Sequence, residues 1–235
     1  MYGLPQAGII AQKLLQERLA KVGYYQSKII PGLWMHITKK TCFTLVVDDF
    51  AIKYTNLDNA KHLIDTLKKD YVITIDWNAT KYIGLTIEWD YTKGKVHVHM
   101  PGYLPNALLR FNHPKPKKKQ NLPHPHVIPQ YGTKIQYASD ADTSPPLNKE
   151  ETKYIQAVTG TLLYYGWAVN NTILPALSAI ATKQAQPSEK TKETITQVLE
   201  YCATQEEAII TYSASKMILA VHSDAGYCNE KKSRS

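Results

Sequence analysis

Two adjacent carboxylates, Asp48 and Asp49, are the residues of this chain best suited to do chemistry. They interrupt an apolar run, Phe43-Thr44-Leu45-Val46-Val47-Asp48-Asp49-Phe50-Ala51-Ile52. Residues 41–47 have no formal charge and are rich in β-branched and aromatic types, which predicts a buried strand, and residues 50–54 resemble its return partner. The sequence therefore predicts a hairpin with both aspartates in its turn, where two carboxylates are suited to hold divalent metal.

A structural explanation for the aspartate pair also exists, because aspartate tolerates the left-handed backbone that a tight turn demands. Two anions beside an apolar sheet edge nevertheless repel each other unless a cation neutralises them. From these residues alone, an ordinary turn and a metal site both stay open.

Helices and a second strand pair surround the predicted hairpin. Residues 8–22 place apolar side chains close to one face of a helix that a glycine ends, and residues 59–71 repeat that spacing. Residues 82–90 and 95–100 alternate as two strands around a Lys-Gly turn. This order of helices and hairpins predicts an α+β fold.

The composition changes in the second half of the chain. Residues 101–111 predict a short helix, and residues 112–149 contain seven of the thirteen prolines, which predicts a linker or a draped loop. Residues 149–203 predict two or three helices with breaks near 170 and 186. Residues 208–212 and 217–222 predict the opening hairpin of another sheet, so we expect the chain to be cut from something longer.

Composition and charge limit the classes of partner. The 235 residues are 43% hydrophobic, which suffices for one large or two small domains. Lys and Arg outnumber Asp and Glu by 28 to 20, and the net charge of +8 favours a polyanionic partner such as nucleic acid, although many ordinary proteins are this basic. The three cysteines are far apart, which indicates a reducing compartment. Without a signal peptide or a membrane-spanning stretch, we expect an intracellular, cytoplasmic protein with no membrane partner.

The segment Tyr2-Gly3-Leu4-Pro5-Gln6-Ala7-Gly8 leads into a helix and then the Val-Val-Asp-Asp hairpin. It is the first of five ordered parts of the sequence that resemble the reverse transcriptase of copia-type long-terminal-repeat retrotransposons. The family's primer-grip strand is similar to Lys81-Tyr82-Ile83-Gly84-Leu85-Thr86-Ile87, and the start of its thumb is similar to residues 101–111. Its post-thumb helix resembles Ala157-Val158-Thr159-Gly160-Thr161-Leu162-Leu163-Tyr164. The beginning of its ribonuclease H domain resembles His222-Ser223-Asp224-Ala225-Gly226-Tyr227 with Lys231-Lys232-Ser233.

This resemblance implies a partial right-hand polymerase architecture. Its parts are an antiparallel palm sheet with helices, a helical thumb and connection, and incipient ribonuclease H-like strands. The implied boundaries are a partial palm at 1–100, a thumb start with a Pro/Lys-rich linker at 101–148, the helical thumb and connection at 149–206, and a truncated start of ribonuclease H at 207–235.

The resemblance also implies an activity, RNA-directed DNA polymerase, which is nucleotidyl transfer by two Mg²⁺ or Mn²⁺ ions about 3.5–4 Å apart. Asp48 and Asp49 match the family's catalytic, metal-binding carboxylates, and Asp48 is the stronger match for direct ligation. Asp224 matches the first metal-binding carboxylate of ribonuclease H. The implied partners are an RNA or DNA template-primer, a deoxynucleotide and the rest of the polyprotein.

Three further groups of residues match nucleic-acid contacts of this family. The incoming nucleotide and the template would contact Gln6, Pro5 and Gly8, and the primer would contact the grip residues Tyr82, Ile83 and Gly84. Phosphates would contact the basic run Lys115, Lys117, Lys118 and Lys119. Each group also has a plainer explanation, respectively a turn at a helix start, a core hairpin and a solvated run of charge.

Two alternatives to a working polymerase stay open. In this family the carboxylate that completes the polymerase metal site lies before residue 2, and the later ribonuclease H carboxylates would follow residue 235. We therefore expect the chain to contain only part of each metal site. We also expect the isolated chain to be inactive. One alternative is a decayed retrotransposon product that binds nucleic acid by charge alone. The other is an unrelated basic RNA-binding domain, which predicts stacking aromatics on an exposed sheet, whereas the aromatic-rich strands here are expected in a core.

Overall fold

The computed structural model of the chain describes residues 6–125, 142–216, 218 and 220–223. The chain divides into two compact units, Met1–Ile87 and Glu88–Ser235. Helices and two antiparallel sheets occur together in the described residues, which confirms the predicted α+β class.

The first unit begins with a helix, continues with a four-stranded sheet and ends with a helix and a short strand. In chain order these elements are α1 (Ala7–Ala20), β1 (Tyr24–Gln26), β2 (Leu33–His36), β3 (Thr41–Val46), β4 (Asp49–Tyr54), α2 (Leu57–Lys68) and β5 (Lys81–Tyr82). The sheet has the order β1-β2-β3-β4, and each strand pairs antiparallel with the next. The predicted hairpin is therefore the β3–β4 pair.

The core of the first unit follows the alternating pattern of the strand and the helical spacing of α2 that the sequence shows. On β3, Thr41, Phe43 and Leu45 are buried and the residues between them are not. The Phe43 ring stacks on that of Trp34 with centroids 5.7 Å apart. Helix α2 confirms the predicted second helix and buries the predicted residues, Ala60, Leu63, Ile64 and Leu67. Burial at every second strand residue leaves the other side of the hairpin for other contacts.

Helix α1 forms as predicted but buries less of its apolar face. Leu19 is buried, whereas Ile9, Ile10 and Leu14 are exposed. The glycine that follows, Gly23, has a φ of +90°, a conformation that favours glycine. The strands β1 and β2 were not predicted, because runs of three and four residues are too short to show an alternating pattern.

A second sheet has the order β5-β6-β7-β8, with β6 at Leu85–Asp90, β7 at Lys95–His99 and β8 at Ile209–Ser213. The boundary between the two units falls within β6. Strands β6 and β7 confirm the predicted strand pair. Strand β8 forms where a strand was predicted, but its partner differs.

Strand β8 pairs antiparallel with β7, so that Val96 lies opposite Tyr212 and His97 opposite Thr211. The predicted partner at 217–222 forms no strand in its described part, residues 218 and 220–222, and residues 217 and 219 lie outside the described residues. The physical reason for the β7–β8 pairing is that β7 offers unpaired backbone N–H and C=O groups, which a distant strand can satisfy.

Helices dominate the remainder of the second unit. They are α3 (Tyr103–Arg110), α4 (Lys149–Ala168), a 3₁₀ helix (Asn171–Ile173), α5 (Leu174–Ala181) and α6 (Glu189–Thr204). These bounds confirm the predicted short helix and the predicted breaks near residues 170 and 186. Capping boxes begin α4 and α6, with Asn148 and Ser188 as their N-caps. None of the described helices has the length and apolar character to cross a membrane.

Residues 112–125 form neither helix nor strand, as predicted for a linker. Hydrogen bonds nevertheless fix them to α6. The N–H of Gln120 donates to Oγ1 of Thr204 at 3.0 Å, and Nε2 of Gln197 donates to the carbonyl of Leu122 at 3.0 Å. Residues 126–141, the central part of the predicted linker, lie outside the described residues.

Candidate functional site

The β3–β4 hairpin turns through two residues, Val47 and Asp48. Val46 and Asp49 lie opposite each other as the last pair of the ladder. The prediction that both carboxylates lie in the turn is therefore correct for Asp48 and wrong for Asp49, which is the first residue of β4. Strand pairing extends one residue further toward the tip than the apolar pattern indicated.

Val47 has an unusual backbone conformation. Its φ is +57°, and Asp48 is not among the residues with positive φ. A positive φ at only the first of two turn residues is typical of a type II′ turn, which usually has glycine at that position. The left-handed region costs a non-glycine residue about 1–2 kcal/mol. Val47 is 91% exposed, so its own burial does not offset this cost, and such strain often occurs at functional sites.

Asp48 and Asp49 are both exposed at this tip. No hydrogen bond or ion pair joins either carboxylate to another described residue. Their oxygens are hard donors, the kind that Mg²⁺ and Mn²⁺ prefer. Within the described ranges, however, no group of three or more His, Cys, Asp or Glu side chains is placed to hold a metal ion. The hairpin thus offers two carboxylate ligands of suitable chemistry.

Two of the residues expected to contact the incoming nucleotide, Gln6 and Gly8, lie at the start of α1. Gln6 is the N-cap of this helix, where its side chain makes no capping hydrogen bond, and its carbonyl accepts from the N–H of Ile10 at 3.0 Å. Gly8 is exposed, and a Cβ added to it would meet nothing within 4 Å. Packing within the chain therefore does not require glycine here. Pro5 and Asp224 lie outside the described residues.

Tyr82, an expected primer-grip residue, contacts the hairpin that carries the aspartates. Its hydroxyl lies 2.8 Å from Oγ1 of Thr44. Thr44 is half-buried between the buried residues Phe43 and Leu45, so its side chain lies on the opposite side of β3 from the core. The expected metal-binding and primer-binding elements are thus joined within the first unit.

The two residues after Tyr82 form a turn instead of the predicted strand. Tyr82 pairs with Leu85, and the residues between them, Ile83 and Gly84, have φ values of +45° and +78°. Two successive positive φ values are typical of a type I′ hairpin turn. The expectation that Ile83 and Gly84 continue a strand is therefore wrong, because the chain reverses at this point and places both residues at the tip of a second hairpin.

The four lysines expected to contact phosphates are all exposed in the segment after α3: Lys115, Lys117, Lys118 and Lys119. None of them forms an ion pair with a described carboxylate. The segment is anchored directly after the lysines, because Gln120 is hydrogen-bonded to Thr204 and Gln205 of the α6 end. The four lysines therefore lie on an anchored stretch of chain. Their exposure is compatible with phosphate binding and also with an ordinary solvated surface.

Helix α4 exposes a stripe of residues that was not expected from the sequence. Gly160, Tyr164 and Trp167 follow each other at helical spacing on its exposed side. Trp167 is 74% exposed, and a Cβ added to Gly160 would meet nothing within 4 Å. The sequence places aromatic residues on both sides of this helix, which could have indicated the stripe. Tyr165 is buried, whereas Tyr164 and Trp167 are exposed.

The second sheet also exposes aromatic side chains. Trp89, Tyr91 and Tyr212 are 44%, 83% and 58% exposed. The expectation that the aromatic-rich strands lie in a core is correct for Trp34 and Phe43 of the first sheet and wrong for Trp89 and Tyr212 of the second.

No family model matches this chain, and no solved structure matches it. The resemblance to copia-type reverse transcriptases therefore rests on the sequence motifs.

Proposed function

We propose that the chain is part of an RNA-directed DNA polymerase of a copia-type retrotransposon polyprotein. In this proposal the β3–β4 hairpin contributes ligands to a two-metal nucleotidyl-transfer site. The observation that carries the proposal is the pair of exposed carboxylates, Asp48 and Asp49, directly after the strained Val47. The motifs supply the class of reaction, and the hairpin geometry supports it.

The tip of the hairpin suits cation binding better than it suits folding. Asp48 and Asp49 repel each other, and no described cation is paired with them. A glycine in place of Val47 would relieve the backbone strain. Folding stability therefore does not explain the Val-Asp-Asp sequence, whereas a divalent cation would neutralise both carboxylates.

The two carboxylates are held by different parts of one hairpin. Asp49 is fixed by strand pairing with Val46, and Asp48 is fixed by the two-residue turn. A bound Mg²⁺ or Mn²⁺ pair would supply activation of the primer hydroxyl and neutralisation of the triphosphate. The contribution of the chain is to place the oxygen ligands in advance, so that little reorganisation accompanies the reaction.

The second hairpin supports the same function on the side of the nucleic acid. The contact between Tyr82 and Thr44 holds the Ile83-Gly84 turn next to β3. Because glycine has no side chain, a ligand backbone can approach such a turn closely. In this proposal the primer backbone binds at this turn. The exposed residues Gln6 and Gly8 contact the incoming nucleotide.

Charge supports a polyanionic substrate. The net charge is +8, and the four exposed lysines from Lys115 to Lys119 have no ion-pair partner among the described carboxylates. Lysines of this kind release counterions when they contact phosphates, which strengthens binding at low salt. In the proposal these lysines contact the template-primer backbone.

A second candidate function is charge-driven binding of nucleic acid without catalysis. The observation that favours it is that no group of three metal-binding side chains occurs in the described part of the chain. The two functions differ in metal dependence, because binding by lysines alone needs no divalent cation and does not select among deoxynucleotides.

The test is retention of a labelled deoxynucleotide on a primed RNA template by the purified chain with Mn²⁺. We expect the complementary deoxynucleotide to be retained above a mismatched one, and we expect Asp48→Asn to abolish this difference. The matched control is Asp65→Asn, which removes an exposed carboxylate from α2. Extension of the primer is not expected with two carboxylates. Equal retention of both nucleotides would reject the polymerase proposal and leave charge-driven binding.

A further inference from the structure

An exposed cluster of aromatic rings on the second sheet has no role in the proposed polymerase site. We call Trp89, Tyr91 and Tyr212 the aromatic face. The Trp89 and Tyr91 rings are stacked, with centroids 5.8 Å apart and planes 7° from parallel. All three residues belong to the second unit. Large aromatic surfaces left in solvent are typical of binding sites.

The strand register puts Trp89 and Tyr212 on the same side of the sheet. Nε2 of His99 lies 3.1 Å from Oε1 of Glu88, so these side chains of the neighbouring strands β7 and β6 share one side. Successive side chains alternate along a strand, so Trp89 lies on the other side, together with Val96. Val96 is paired with Tyr212 of β8, which brings Tyr212 to the side of Trp89.

The two rings lie on strands that one further strand separates. Trp89 lies on β6 and Tyr212 on β8, with β7 between them. Two strand spacings correspond to roughly 9.5 Å between the strand axes. Aromatic residues on an exposed sheet are a common platform for unpaired bases, because every base has a ring face to stack.

Positive charge lies at one end of the aromatic face. The N–H of Ala214 donates to the carbonyl of Gly94 at 2.8 Å, which joins the end of β8 to the turn between β6 and β7. Exposed lysines flank this junction, namely Lys93, Lys95 and Lys216. Asp90 also lies near this end, and one of its carboxylate oxygens is 3.3 Å from Nζ of Lys93. Three cations beside one carboxylate leave the junction positive.

We propose that the aromatic face binds single-stranded nucleic acid, with bases stacked on Trp89 and Tyr212 and phosphates at the lysine junction. A duplex is a poor ligand for this face because its bases are already stacked and paired. The positive junction favours a polyanion over an apolar peptide or a second copy of the chain. The inference does not rest on the polymerase proposal, since it uses no metal and no residue of the first unit.

The test is fluorescence anisotropy of a labelled single-stranded oligothymidylate of 15 nucleotides with the full chain. Stacking of one base is lost when its aromatic partner is removed, so we expect Trp89→Leu and Tyr212→Leu each to weaken binding by about tenfold. Trp89→Phe and Tyr212→Phe keep a ring and should stay within about threefold of the unchanged chain. The matched control is Trp77→Leu, because Trp77 is a 52% exposed tryptophan outside the second unit.

Further measurements separate stacking from other causes. Circular dichroism checks that each variant folds. If a leucine variant does not fold, the ring-preserving phenylalanine variants can still be compared with the unchanged chain. Replacement of Lys93, Lys95 and Lys216 by Gln should make binding less dependent on salt. Unchanged affinity in Trp89→Leu and Tyr212→Leu would overturn the proposal. Equal losses on a duplex of the same length, or a change in sedimentation in place of a change in binding, would also overturn it.

Discussion

The hydroxyl of Tyr82 lies 2.8 Å from Oγ1 of Thr44, across 38 residues of sequence. This contact joins a short strand to the hairpin that ends in the two aspartates. One oxygen donates and the other accepts, and the contact is partly buried. The position of the Ile83-Gly84 turn beside the hairpin therefore depends on a hydrogen bond that single substitutions can remove.

Removal of this hydrogen bond should loosen the second hairpin. We expect Tyr82→Phe to lower the free energy of unfolding by about 0.5–1.5 kcal/mol, the usual net value of one hydrogen bond. Thr44→Val should cost a similar amount, and the double variant should cost less than the sum, because both changes remove one interaction. Chemical denaturation measures these values. The control is Tyr54→Phe, which removes the hydroxyl of a 42% exposed tyrosine on β4 and should change little. Fully additive losses would contradict the contact.

Val47→Gly should stabilise the chain, because glycine adopts a φ of +57° without steric cost. The relief of about 1–2 kcal/mol is reduced by the greater entropy of glycine in the unfolded chain, about 0.5–1 kcal/mol. We therefore expect a net gain of about 0–1.5 kcal/mol in the free energy of unfolding. The control is Val46→Gly, one residue earlier in the ladder, which should destabilise. A loss at both positions would show that Val47 is not strained.

Stability should fall in mild acid, and His62 should be one cause. Burial lowers the pKa of His62, and the nearby Lys39 lowers it further. The hydroxyl of Tyr24 lies 3.1 Å from Nδ1 of His62, and burial raises the pKa of Tyr24 to about 12, so this hydroxyl stays protonated.

Because folded His62 binds a proton less tightly than unfolded His62, its contribution is intact above the ordinary histidine value of about 6.5 and is lost as the pH falls below it. Thermal midpoints at pH 7.5 and pH 5.0 should therefore differ less in His62→Gln than in the unchanged chain. His124→Gln, which changes an exposed histidine, should keep the full difference. The same pH difference in all three proteins would contradict this assignment.

Asp142 connects the segment before α4 to the start of α6. The hydroxyls of Ser144 and Ser188 donate to its carboxylate at 2.6 and 2.5 Å. These hydrogen bonds, with Ser144 as the larger cause, lower the pKa of Asp142 to about 2. The stabilisation is therefore complete above the ordinary value of 3.8 and is lost as the pH falls toward 2.

At neutral pH we expect Asp142→Ala to lower the midpoint of thermal unfolding by about 2 °C. Between pH 4 and pH 2 this variant should lose less further stability than the unchanged chain. Asp65→Ala, at an exposed position of α2, serves as the control and should keep the acid dependence. Parallel curves for Asp142→Ala and the unchanged chain over that range would refute the role of Asp142.

The elements that the sequence predicted well are those with a long, regular pattern. Residues 41–46 alternate and α2 repeats every three to four residues, so both could be identified with their buried residues. The partner of β8 could not be predicted, because pairing between strands more than a hundred residues apart leaves no local signal. The turn at Ile83-Gly84 was missed because an apolar residue at positive φ looks like part of a strand.

The candidate site was predicted in its residue types and less well in its geometry. Asp48 and Asp49 are exposed at a hairpin tip, as expected, and Tyr82 reaches the same hairpin through Thr44. The sequence could not show the backbone strain at Val47. Its φ depends on which residues form the last pair of the β3–β4 hairpin and so on which residues form the turn. The sequence also could not show that Trp89 and Tyr212 face solvent, because aromatic residues on strands are more often buried.

The most direct test of the metal-binding hairpin is Mn²⁺ titration followed by line broadening in ¹H–¹⁵N spectra of the full chain. The internal control is Glu150 and Glu151, adjacent carboxylates at the start of α4, of which Glu151 is already paired with Lys192. We predict that the amide signals of Val47, Asp48 and Asp49 broaden at lower Mn²⁺ than those of the Glu150–Glu151 pair, and that the preference disappears in Asp48→Asn. Equal broadening at the two pairs, or an unchanged preference in Asp48→Asn, would contradict a metal site at this hairpin.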